Sequence, residues 1–121
     1  MSFLELWVAV GAFGGAGSIA RWFVHGLFPV DTRAGFPLGT LAVNLTGSFV
    51  LGLLAGAALD GDAYLLAGTA AVGSYTTFST WMLDTERLAR EGRPWRAALN
   101  VAASLALGIV AAELGRTIAG G

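Results

Sequence analysis

The sequence predicts an all-α membrane protein of four transmembrane helices, and three observations carry that reading. Of the 121 residues, 55% are hydrophobic and 12% charged, where soluble domains run nearer about a quarter charged. The mean hydropathy is +0.69. The apolar residues also gather into four stretches, each close to the roughly 20 residues of helix that a hydrocarbon core of about 30 Å requires.

The spans are expected at about 4–24, 38–59, 63–83 and 97–119, together one transmembrane domain covering 1–121. The first lacks the basic start and small-residue cleavage site of a signal peptide, so it is expected to be retained. Between the first and second spans lies the Pro/Gly/charged run from Phe28 to Pro37, and Pro37 suits a helix's first turn. Asp60-Gly61-Asp62 is a tight turn. Asp84 to Arg96 is the one strongly charged stretch, and Gly92-Arg93-Pro94 stops a helix within it. No soluble domain remains once these connectors are subtracted.

Small and polar residues recur every four positions along single faces. The second span carries Thr40, Asn44, Ser48, Gly52 and Gly56; the fourth carries Asn100, Ser104, Gly108 and Ala112. The first has Gly11, Gly15 and Ser18, with Gly14, Gly17 and Arg21 beside them. Such stripes let helices approach closely where lipid supplies no hydrophobic drive for packing. Asn44 and Asn100 ask for more, because an amide facing lipid is costly without a partner. Four helices give little interior to hide them, which favours an oligomer, a polar path, or both.

The charges lie at span ends. Arg21 is read as structural, either an interfacial anchor or a cap on helix carbonyls. Glu5 is interfacial. Asp84 shares a face with Thr77 and Thr80, and is either a vestibule group or a helix-end acid. Arg33, Arg87, Arg90, Arg93 and Arg96 fall on one side of the bilayer and Arg116 on the other, so the positive-inside rule places both termini outside. A net charge of −1 without a basic patch argues against a nucleic-acid partner. No cysteine and one histidine, His25, exclude thiolate chemistry and clustered Cys or His metal sites, and no nucleophile–base pair supports an enzyme.

The densest signal is Gly73-Ser74-Tyr75-Thr76-Thr77-Phe78-Ser79-Thr80-Trp81. Five aliphatic hydroxyls fall within seven residues, beside a glycine able to interrupt a helix. That density exceeds what packing asks for and points to a path for something polar.

Taken with Gly14-Gly15-Ala16-Gly17 and Arg21, and with Pro37-Leu38-Gly39-Thr40-Leu41 followed by Asn44, Gly47, Ser48 and Phe49, the Thr76-Thr77-Phe78-Ser79-Thr80 run resembles the CrcB/Fluc family of fluoride channels over essentially the whole chain. The resemblance implies a third helix broken near mid-membrane, an antiparallel dimer, and two fluoride pathways beside a central sodium ion that is not transported. It implies passive fluoride export across the cell (plasma) membrane, relieving fluoride toxicity. Carried onto this chain, the main-chain carbonyls of Gly73 and Thr76 would hold the sodium. Freed carbonyls are hard oxygen ligands suited to a hard cation, and Gly73 would lower the cost of leaving helical geometry. Asn44 would donate its amide to the anion, and Phe78 would offer its positively polarised ring edge. Thr77, Ser79, Thr80 and Ser104 would be hydroxyl donors along the track.

Three features depart from the family pattern. Trp81 stands where a second phenylalanine is usual and adds bulk and an N–H donor, which puts the second aromatic site and conduction by this subunit in question. Asp84 replaces a common glutamate. The five-to-one arginine bias is unlike the balanced loops of a dual-topology homodimer and fits an oppositely oriented homologue as partner, so the expected antiparallel dimer is either a homodimer or a pair of homologues. Two competing readings remain: a four-helix small multidrug or cation exporter, disfavoured because Phe13, Gly14 and Gly15 stand where a mid-membrane acid is needed, and a non-conducting partner subunit of a heterodimeric channel.

Overall fold

A computed structural model describes residues 1–28 and 36–120. The expected loop over 28–37 and its Arg33 therefore lie mostly outside the described residues. Among the described residues the regular structure is all helix: α1 (Phe3–Gly26), α2 (Leu38–Gly56), α3 (residues 61–75), α4 (Ser79–Arg90) and α5 (Pro94–Ile118). The helices α1, α2 and α5 are each long and apolar enough to cross a membrane. The stretch expected as the third span is divided between α3 and α4, with an interruption at residues 76–78.

Local chemistry sets the ends. Ser2 and Glu5 form a reciprocal capping box at the start of α1, each side chain bonding the other's backbone N–H at 3.1 and 2.9 Å. Pro94 occupies the first turn of α5, and Gly92, at φ +79°, reverses the chain before it. The charged stretch expected to be a connector from Asp84 is mostly helix, because α4 runs on to Arg90. Its i,i+4 pairs, Glu86 with Arg90 and Arg87 with Glu91, support those last turns.

The tightest packing joins α2 to α5. A Cβ on Gly52 would overlap the Ala112 carbonyl, one on Gly56 the Arg116 carbonyl, and one on Gly115 the Phe49 carbonyl. Ser48 lies beside Gly108. The pairs 48/108, 52/112 and 56/116 advance together, so the helices run parallel and their two small-residue stripes are each other's partner surfaces. Lipid-facing positions stay apolar and exposed, among them Ile109 and Val110.

On α1 the bundle uses Gly14 and Gly17, whose positions press on Ser74 and the Ala71 backbone of α3. Gly11 and Gly15 face open space instead. The stripe expected through Gly11 and Gly15 is therefore not the one that packs within this chain.

The helix α3 begins as an α turn (Gly61–Tyr64), continues as π-helix (Leu65–Val72) and ends as another α turn (Gly73–Tyr75). Gly73 keeps helical geometry at φ −60°, ψ −37°. The residue that leaves is Thr76, extended at φ −76°, ψ 161°. The interruption is thus not made at the glycine expected to ease it, and its cause is a hydrogen bond from another helix.

Candidate functional site

That bond comes from Asn44. Its Nδ2 donates to the Thr77 carbonyl at 3.0 Å, and its Oδ1 accepts the Thr77 N–H at 2.8 Å. The side-chain amide pairs with the Thr77 peptide as another strand of backbone would. In a continuous helix the Thr77 N–H would close on the Gly73 carbonyl; here Asn44 has taken it. The Thr80 N–H, which would close on Thr76, bonds the Thr77 hydroxyl instead at 3.2 Å. Thr77 thereby caps α4 through its side chain. Gly47, one turn along α2 from Asn44, has no Cβ to collide with Thr76, and the Tyr75 ring lies alongside it.

The break opens on a groove of about 630 Å³ between α2, α3 and α5. It gathers Asn44, Gly73, Thr76, Thr77, Phe78, Trp81 and Ser104 from the expected site. Arg21, Ser79 and Thr80 do not line it. Arg21 is half-buried on α1, one turn before His25, and makes no hydrogen bond or ion pair among the described residues. Sequence reasoning did not assign Ser48, Tyr64 and Thr69 to the site, yet all three line the groove. Ser48 stood one turn from Asn44 on the same face, which was the available signal. Thr69 gave none, since its placement depends on the π-helical phase of α3.

Donor capacity within the groove follows from the bonds already made. An Asn amide has two N–H groups; one holds Thr77, leaving one. The Thr77 oxygen accepts from Thr80, so its hydroxyl hydrogen remains to donate. The Thr76 hydroxyl donates to the Val72 carbonyl at 3.2 Å. Ser104 Oγ is buried without a hydrogen-bond partner, an unmet demand in an apolar wall. Phe78 is 71% exposed, with its ring edge-to-face with Trp81 at 5.8 Å between centroids. The indole N–H of Trp81, expected as an extra donor for the path, instead bonds the Asn100 carbonyl at 3.2 Å.

Towards the arginine-rich end the same face of α2 carries Thr40, 1% exposed. Its hydroxyl donates to Asp84 Oδ2 at 2.8 Å and lies 3.4 Å from His25 Nε2. Asp84 is therefore a buried-edge acceptor tying α4 to α2, with Arg87 at 4.0 Å. Thr40, Asn44 and Ser48 form a polar line from that end into the groove.

The family described as CrcB-like protein, Camphor Resistance (CrcB), matches residues 8–116. A protein of Mycolicibacterium paratuberculosis named Fluoride-specific ion channel FluC 2 is 52% identical over 120 residues, 98% of each chain. A Mycobacterium tuberculosis protein of the same name is 49% identical over 96% of this chain and 92% of its own. Fluoride-specific ion channel FluC 1 of Symbiobacterium thermophilum is 41% identical over 95% and 98%.

Proposed function

The chain belongs to the CrcB-like family, and on that premise we propose that it is a fluoride-selective channel, through which fluoride leaves the cell passively across the plasma membrane. The reading is of a channel and not of an enzyme, in keeping with the names of its relatives. Family membership also removes the four-helix cation exporter.

The observation that carries the proposal is the pairing of Asn44 with the Thr77 peptide. It opens the helix beside an exposed phenylalanine and leaves donors, not charges, facing the groove. Fluoride is small and strongly hydrated. A path that passes it must replace water with hydrogen-bond donors in a mostly apolar slot, and several weak sites let the ion leave again. The second Asn44 N–H, the Thr77 hydroxyl and the unpartnered Ser104 hydroxyl supply such donors, and the Phe78 ring edge supplies a positively polarised rim. Unwound backbone at membrane depth is tolerated where it lines such a cavity. Ser79 and Thr80, outside the groove in a single protomer, would join the track only against a second subunit.

Sodium as a structural ion fits the carbonyls at the break. The N–H groups that would close on Gly73 and Thr76 are held by Asn44 and by the Thr77 hydroxyl, so both oxygens are released and both are hard ligands. The same two carbonyls from an antiparallel subunit would double the donor set. When bound, the cation would screen the carbonyls of the two facing breaks from one another. Gly73 supports that pairing: a Cβ there would meet nothing nearer than the Gly68 carbonyl at 3.9 Å, so the glycine serves no packing need inside the protomer.

The arginine distribution favours a paired homologue over a second copy as the antiparallel subunit. Among the described residues, Arg87, Arg90, Arg93 and Arg96 lie at one end and Arg116, paired with Glu113, at the other. The numbered names of the relatives, FluC 1 and FluC 2, agree with two such chains acting together.

Fluoride efflux from liposomes tests the channel, with the chain reconstituted alone and with a paired homologue. Flux in either preparation is expected; its absence from both sinks the channel reading. A reporter fused to the C-terminus is expected to give a single orientation, and a mixed signal would restore the dual-topology homodimer.

A further inference from the structure

Trp81 is fastened on three sides. Its indole N–H donates to the Asn100 carbonyl on α5 at 3.2 Å. The Asn100 side-chain amide donates to the Thr85 hydroxyl at 2.9 Å, and that hydroxyl donates back to the Trp81 carbonyl at 2.9 Å. The three residues close a ring of hydrogen bonds between α4 and α5. Asn100 is 1% exposed, which excludes competing water, and the buried pair Leu88 and Ala97 seals the next turn. An indole held at its nitrogen has little freedom to turn about either side-chain torsion.

Phe78 sits at the other end of this clasp. It lies between two anchors, Thr77 bound to Asn44 on α2 and Trp81 bound to Asn100 on α5. Phe78 is 71% exposed and lines the groove, and among the described residues the ring it meets is that of Trp81, at 5.8 Å and 82°. Edge-to-face geometry is directional, so fixing one ring biases the rotamer of the other.

We propose that Trp81 is a positioning residue for Phe78: the indole clamped to Asn100 sets the angle at which the Phe78 ring faces the groove, and with it the chain's affinity for the anion. The inference rests on the channel reading above and gives the indole a role the aromatic pattern alone does not. The tryptophan is not a blocked second site. It is a fixed strut that leaves a single adjustable ring.

The test is a double-mutant cycle read by fluoride flux from liposomes. Trp81→Phe keeps a ring at this position but removes the N–H that holds it. It is expected to raise the half-saturating fluoride concentration by about two- to tenfold, the range an aromatic pair can shift, with maximal flux changed less. In a Phe78→Leu background the same change is expected to move half-saturation by less than about twofold, because the ring through which Trp81 acts is gone. Equal shifts in both backgrounds overturn the proposal and leave Trp81 a staple between helices. Hydrogen exchange of the indole N–H groups supplies a readout independent of transport. The resonance lost in Trp81→Phe is expected to exchange more slowly than that of Trp95, which is 76% exposed; fast exchange removes the clasp and overturns the proposal. Wild-type protein without flux, both alone and with a paired homologue, overturns the channel reading and the role of Trp81 in it, even with a protected indole.

Discussion

The pair α2/α5 and the interrupted crossing α3/α4 are written in the same short residues, glycine, serine and threonine, yet they meet opposite demands. Along α2 and α5 the helical backbone is continuous, and the small residues bring two rods together until a single methyl would not fit. At residues 76–78 the backbone leaves the helix, and hydroxyls and an amide from α2 take over its hydrogen bonds. The difference lies in what faces each stripe. Gly52 meets a carbonyl that already has its partner; Asn44, two turns earlier on the same face, meets a peptide it can capture. One face of α2 therefore serves as a packing surface at one end and as a template for opening a neighbour at the other.

The comparison can be broken most severely at Gly52. In Gly52→Leu the side chain must displace the backbone of Ala112, and overpacking against unyielding backbone costs more than about 3 kcal/mol; no monodisperse protein is expected on size exclusion. If Gly52→Leu folds with an unchanged melting temperature, the parallel α2/α5 contact is wrong. Asn44→Ala comes next. It strips both partners from the Thr77 peptide, at about 1–3 kcal/mol for each buried group left bare. Flux should fall at least about tenfold while assembly persists, and Phe78→Ile should weaken flux by less. Loss of assembly in either variant would recast these side chains as packing groups. The smallest effect sharpens the contrast. Gly73→Ala has room in the protomer and a helical backbone to match, so monomer stability should rise by at most about 1 kcal/mol, the helix-propensity gain of alanine over glycine, and any loss should appear only in dimer assembly or in its dependence on sodium. Equal damage to both would remove Gly73 from the proposed interface.

Much of this was legible in the residues. Three long apolar helices followed from hydropathy and length, and the α2 and α5 stripes followed from period four, because packing in lipid selects small side chains at fixed spacing. Asn44, Thr77, Phe78, Trp81 and Ser104 were assigned through the family resemblance, and they line one groove. What stayed hidden was set by tertiary contact. The break begins at Thr76 and not at Gly73, since a bond from another helix outweighs local propensity. The N–H of Trp81 could be counted in the sequence, but its acceptor lies nineteen residues away on α5. On α1, two glycine faces of similar composition were available, and only the geometry of α3 chose between them.

The π-helical stretch Leu65–Val72 has a consequence for how the break is aimed. A wide turn holds one more residue than an α turn before its hydrogen bond closes, so the segment behaves as a phase adjuster on the rod that follows it. Closing that turn as α with the residue count unchanged would advance everything downstream by about 100°, swinging Gly73 off the groove although the composition of the span is the same. The aim of the opening is thus set by how many residues each upstream turn holds, and a one-residue deletion between 65 and 72 that lets a wide turn close as α should leave the break facing the groove.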